Sequence, residues 1–189
     1  DDVDDGEAHD VVWLLGWTIS TMGGAVKVDR AVRTAALSKL LEAGLSLTSS
    51  IPDSCKHPHR GDTLFLAACR NMLTDVAEIL LNSTADVNST SVDDGATPVI
   101  LAAASGNVEL TQVLVRRGAS LDVADNAGRT PCDAAQLNGH EQVVRLLRAT
   151  DVHNFARTGD LASVEMALDE GVDPNSVHLM TGATLLYLC

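Results

Sequence analysis

Two stretches of the chain, Gly95-Ala96-Thr97-Pro98 and Gly128-Arg129-Thr130-Pro131, repeat the same Gly-x-Thr-Pro arrangement 33 residues apart. A period of this size marks a stacked array of small supersecondary units rather than one closed globule. Other positions fall into line on the same period. Ala102-Ala103 lies over Ala135-Gln136, Gly106-Asn107 over Gly139-His140, and Val113-Leu114 over Leu146-Leu147. The upstream stretch Thr63 to Cys69 joins the series with a spacing of 34, one residue being absorbed in a loop.

Each recurring residue has a physical role. Proline lacks an amide hydrogen, so Pro98 and Pro131 suit the first turn of a helix, where amides are unpaired anyway. Thr97 and Thr130 precede them as N-caps. Small alanines allow a neighbouring helix close approach. Gly106, Gly118, Gly139 and Gly171 fit left-handed helix ends. Val108 to Val115 and Glu141 to Arg148 carry apolar residues at helical spacing, predicting a second helix in each unit.

These residues resemble the ankyrin repeat: a turn, a Thr-Pro helix start with a pair of alanines, a break at Gly-His, an aliphatic second helix, then Gly-Ala-Asp-Val-Asn. Asp125 to Pro131 and Ala85-Asp86-Val87-Asn88 carry the resemblance most closely. It implies an all-α ankyrin-repeat solenoid with an atypical N-terminal helical cap. The expected organisation is an acidic disordered tail over 1–10, a degenerate helical cap and loop over 11–57, and repeats over 58–189. Within the repeats the units are 58–91, 92–124, 125–150, 151–178 and a partial 179–189. The turn and loop between Arg148 and Ala156 are mostly missing, so 149–155 is the irregular join. Leu66, Ile100 and Asp133 replace the usual histidine of the first helix.

Val11 to Met22 is apolar on nearly every side, with Trp13 and Trp17 one turn apart. It is too short to span a membrane, which takes about 20 apolar residues, and an acidic rather than basic segment precedes it. It reads as a helix covering the end of the first repeat. A long Ser, Thr and Pro-rich loop follows Gly44, and loops of that length are either functional or mobile.

The formal net charge is −13, and six acids with no Lys or Arg occupy the first ten residues, leaving −7 to the body. Nucleic acid is excluded as a partner, since binding it rests on neutralising phosphates. A protein or peptide partner remains. The four cysteines are widely and irregularly spaced, which predicts free thiols in a reducing compartment, the cytoplasm or nucleus.

No nucleophile elbow, phosphate loop or His-Glu-x-x-His sequence is present, so no catalysis and no cofactor are expected. Cys55, His57 and His59 form one compact set of metal-ligand types, but structural zinc needs four ligands and no second half is evident. A polar loop leading into the first repeat is the preferred reading, with a metal-binding loop as its rival. Asn88, eight residues after Leu80, resembles the target of asparaginyl hydroxylases that modify ankyrin loops. The plainer reading is that Asn88 pins its loop by hydrogen bonds.

In ankyrin proteins the contact residues lie on turn tips and on the exposed side of the first helices. Carried over, the first unit offers His59, Arg60, Asp62, Arg70 and Asn71, and the second Asp93, Asp94, Ala96, Ala104 and Ser105. The third offers Asn126, Ala127, Arg129, Leu137 and Asn138, and the last units Arg157, Thr158, Leu179 and Met180. Reversing the charge of both Arg70 and Arg129 is expected to weaken partner binding while sparing the fold. The chain thus reads as a non-catalytic, monomeric scaffold or adaptor gripping a protein by its concave face. The alternatives are a regulatory segment of a larger enzyme and a purely structural spacer.

Overall fold

A computed structural model of the chain describes residues 62–83 and 85–176, with Thr34, Ala35, Ser38 and Thr184 as isolated described positions. The rest of the expected acidic tail, cap and loop lies outside the described residues, as does most of the partial unit 179–189. All regular structure among the described residues is helical, apart from bridge positions at Thr63 and Thr184.

Helices α1 (Leu64–Arg70), α3 (Pro98–Ala104) and α5 (Pro131–Leu137) pack side by side in one row. Helices α2 (Thr74–Ser83), α4 (Val108–Arg116) and α6 (Glu141–Thr158) form the row behind, and α7 (Leu161–Asp169) packs on α6. The solenoid anticipated from the repeat is therefore present. Its core lies between the rows, with Leu64, Leu66, Val76, Val99, Leu110, Leu114, Val143 and Leu147 each at most 1% exposed. Each buried aliphatic side chain contributes about 2 kcal/mol. Ala67, Ala68, Ala102, Ala103, Ala134 and Ala135 are buried where adjacent first helices meet. A larger side chain there would push the units apart.

The threonines cap the first-row helices as predicted. The hydroxyls of Thr63 and Thr97 accept from the amides of Leu66 and Ile100 at 3.3 and 3.4 Å. Thr130 does more, because Asp133 stands where the family carries histidine. The Asp133 amide donates to Thr130 Oγ1 at 3.2 Å, and the Asp133 carboxylate accepts from the Thr130 amide at 3.0 Å. That reciprocal box satisfies two helix-end donors at once.

Neighbouring units are tied at the repeat period. Asn107 Nδ2 donates to Thr74 Oγ1 at 3.0 Å, and His140 Nε2 lies 3.1 Å from the Ala104 carbonyl. The Asn126 amide donates to the Asp94 carbonyl at 2.9 Å. The ring of His140 also explains Gly106, which has φ of +71°. A Cβ there would lie 2.5 Å from His140 Nδ1.

The irregular join resolves into one continuous helix. No Gly or Pro occurs between Gly139 and Gly159, so α6 runs for 18 residues until Gly159 ends it at φ +79°. It is roughly 27 Å long. Its first half packs into the main core through Val143 and Leu147. Its second half builds a separate small cluster of Val152 and Ala156 with Val164 of α7.

Candidate partner-contact face

The turn before α3 is closed by backbone bonds from Ser91 to Ala96 at 3.0 Å and from Gly95 to Ser91 at 2.9 Å. Asp94 steadies it, its carboxylate accepting from the Ala96 amide at 3.1 Å. The next tip packs so close that a Cβ on Gly95 would lie 2.5 Å from Asn126 Oδ1. In that second tip, Asp125 Oδ1 accepts from the amides of Ala127 and Arg129 at 2.9 and 3.0 Å. Arg129 Nε then donates to Asp125 Oδ2 at 2.8 Å. This pairing holds the Asp125 carboxyl below the usual carboxylate range.

Arg70 sits at the centre of the first junction. Its guanidinium donates to Asp62 at 3.3 Å, to Ser91 Oγ at 2.8 Å, and to both carboxylate oxygens of Asp94 at 3.0 and 3.1 Å. The hydrogen bond from Arg70 is the main cause holding the Asp94 carboxyl down to about 2. Arg70 is therefore a clamp between two units, with its side chain only 17% exposed. The residue chosen from the sequence as a candidate contact thus has a structural role in the stack. Asp62 and Ala96, chosen likewise, are 0% and 3% exposed. The double arginine reversal is expected to cost stability, since it would strand Asp62 and set a second negative charge against Asp125.

Other sequence-chosen residues divide by element. Asp93, Asn126, Ala127 and Arg129 are exposed on the tips. Ala104, Ser105, Leu137, Asn138 and Asn71 lie at the carboxyl ends of the first-row helices. Asn71, Ser105 and Asn138 partly cap their own helices, donating to the carbonyls of Ala67, Leu101 and Ala134 at 2.8, 2.9 and 2.8 Å. Leu137 stands 71% exposed at the end of α5. Arg157 and Thr158 are exposed but sit at the end of α6, a second-row helix, so they do not join the row of tips. His59, Arg60, Leu179 and Met180 lie outside the described residues, as do Cys55 and His57. Among the described residues no group of three metal-ligating side chains could hold an ion. Asn88 Oδ1 accepts from the Ser120 amide at 2.9 Å, so its side chain does pin one loop to the next.

Exposed residues that the sequence reading missed include Val92 and Met72. Val92, 71% exposed, borders the first tip. Met72, 55% exposed, has φ of +56°. The repeat phase contained the signal for Met72, because Gly106 and Gly139 occupy its place in the next two units. At Gly106 the His140 ring bars a Cβ, which would lie 2.5 Å from Nδ1, whereas Met72 carries a side chain in the equivalent left-handed place.

The family model described as ankyrin repeats, three copies, matches residues 64–155. Cyclin-dependent kinase 4 inhibitor B of Bos taurus is 44% identical over 40% of this chain and 57% of its own length. Human cyclin-dependent kinase inhibitor 2A is 37% identical over 54% of this chain and 62% of its own. A glycerophosphocholine phosphodiesterase of Candida albicans is 35% identical over 47% of this chain, but over only 8% of the relative. The chain thus spans less than two thirds of each of these relatives. Its packing of paired helices, capped tips and inter-unit ties agrees with the family match, and residues 64–155 form ankyrin repeats, the part of the chain to which the likeness to a protein-interaction module applies.

Proposed function

We propose that the chain holds a protein or peptide partner against its row of turn tips and first-helix ends, and that it does so as a monomer without catalysing a reaction. The observation that carries this reading is Leu137, a large aliphatic side chain left 71% exposed on the first-helix row. It stands in the same unit as the exposed tip residues Asn126, Ala127 and Arg129. An apolar side chain with polar neighbours has the core-and-rim composition of a protein interface. Two similar proteins are named as inhibitors of cyclin-dependent kinases, so such a kinase is the first partner to assay. Free cysteines suit a cytoplasmic or nuclear setting: Cys69 is buried, and burial pushes its thiol and that of Cys132 up.

The test uses Leu137→Glu combined with Ala127→Arg, two exposed positions outside the ion pairs. Wild type and variant are immobilised and presented with purified cyclin-dependent kinase 4 and with a cross-linked lysate of the native organism. The expected result is a partner retained by wild type and at least about tenfold depleted on the variant, with the same melting temperature for both. Equal retention would move the interface off this face. A second reading, a regulatory segment within a larger enzyme, is supported by the phosphodiesterase match to a small part of that relative. The complete reading frame distinguishes the two.

A further inference from the structure

A groove of about 560 Å³ separates the loop after α4 from the second half of α6. It lies apart from the face proposed above, and only Thr158 of the sequence-chosen contacts borders it. It follows from the irregular join. The first two inter-unit loops are joined by the Ser120 amide donating to Asn88 Oδ1. One period beyond residues 118–122, the chain at 151–155 is helical. The loop therefore faces the side of a helix instead of another loop.

The lining has two kinds of chemistry. Val115, Leu121 and Phe155 supply apolar surface, and Phe155 is 36% exposed. Asp122, Asp151 and Asp160 supply three carboxylates, and no Lys or Arg lines the groove. Burial, and then the charge of Asp122, push the Asp151 carboxyl up to about 6. An arriving cation would relieve that repulsion. A metal ion is a poor fit, since no set of three ligands converges among the described residues. A small hydrophilic cation would leave Phe155 and Leu121 uncovered.

We propose that this groove takes a short basic and apolar segment of a protein partner, an arginine pairing with Asp122 and Asp151 while an adjacent aliphatic side chain covers Leu121 and Phe155. Arginine fits because its planar fork serves two carboxylates and its face stacks on a ring. The docking is independent of the first-helix row and gives the chain a second point of attachment.

The experiment titrates the folded protein at pH 7.5 with a fluorescein-labelled hexapeptide, Gly-Leu-Arg-Arg-Leu-Gly, and maps amide shifts by NMR. Binding tighter than about 1 mM is expected, with shifts concentrated at Ser120, Leu121, Asn154 and Phe155. Asp122→Asn combined with Asp151→Asn should weaken it at least tenfold without lowering the melting temperature, because the variant removes a repulsion. Glu109→Gln, an exposed acid on α4, serves as the control for simple attraction to an acidic protein. A peptide with serine in place of leucine should bind several-fold more weakly. The proposal is overturned by no binding at 1 mM, by equal loss in the Glu109→Gln control, by equal binding of the serine peptide, or by shifts that map to the first-helix row.

Discussion

Replacing Arg70 by methionine isolates the charge at the first junction, because methionine retains most of the aliphatic stem. The magnitude follows from who is left behind. Asp62 is 0% exposed, and its Oδ1 has no hydrogen-bond partner. Its other oxygen lies 3.3 Å from the Arg70 guanidinium. At that separation two charges attract by about 5 kcal/mol at an effective dielectric of 20, which roughly offsets what desolvating them costs. The intact pair is thus close to neutral for stability. Its rupture is not, since removing one partner of a buried pair costs about 3–5 kcal/mol. Asp94, 41% exposed, adds less than about 1 kcal/mol because water screens it.

Arg70→Met should therefore lose about 3–4 kcal/mol, lowering the melting temperature by roughly 10 °C in a chain of this size. Urea unfolding followed by circular dichroism measures it. The diagnostic arm is the double variant Asp62→Asn with Arg70→Met, which removes the stranded charge and should recover more than half of the loss. A cost below about 1 kcal/mol for the single variant would refute the reasoning. So would a double variant no more stable than the single one, since the damage would then come from lost packing.

Two further perturbations test the same logic elsewhere. Met72→Gly should raise stability by about 0.5–1 kcal/mol, by releasing a left-handed backbone that disfavours any side chain. Gly106→Ala should lower it by about 2 kcal/mol, since the backbone has φ of +71° and the new Cβ meets the His140 ring; paired denaturation curves check both. Asp151 gives a pH signature of definite sign. Its folded carboxyl titrates near 6, above the ordinary value near 3.9, so the folded state binds the extra proton and stability rises as pH falls from about 6 to 4. Asp94, held down to about 2, acts oppositely, its contribution disappearing as pH falls from about 4 to 2. Asp151→Asn should abolish the rise, and a side-chain NMR titration with a midpoint near 4 would contradict the assignment.

The stack was legible in the sequence because its determinants are local and periodic. Thr-Pro sets a helix start within four residues, an alanine pair marks the close approach, and a glycine marks the stop. Contact residues were less legible because the repeat reports where a residue stands along the chain, not what lies beside it. Arg70 occupies the place of Ala104 and Leu137, yet only Arg70 finds Asp62, Ser91 and Asp94 within reach, 8 to 24 residues away. Arg129, at a tip, is similarly tied to Asp125. An arginine near several aspartates on an acidic solenoid is more apt to be a clamp than a free contact, and that inference needed only the charges of neighbouring units.

The irregular join carries a different lesson. Loss of the usual turn after Arg148 marks 149–155 as irregular in the sequence, yet nothing in Ala149 to Thr158 tells a helix to stop. With no Gly or Pro before Gly159, α6 continues and takes Val152 and Ala156 away from the main core to meet Val164. The same continuity removes the tip that would have extended the row of turns and leaves the loop at 118–122 facing a helix. One change in the chain, the absence of a stop signal, thus ends the row of turn tips and opens the groove beside Phe155. Inserting Gly-Asn after Thr150 should split α6, lower its helix content and close the groove. Loss of hexapeptide binding with the first-helix row intact would tie the two consequences to that single cause, and retained binding would separate them.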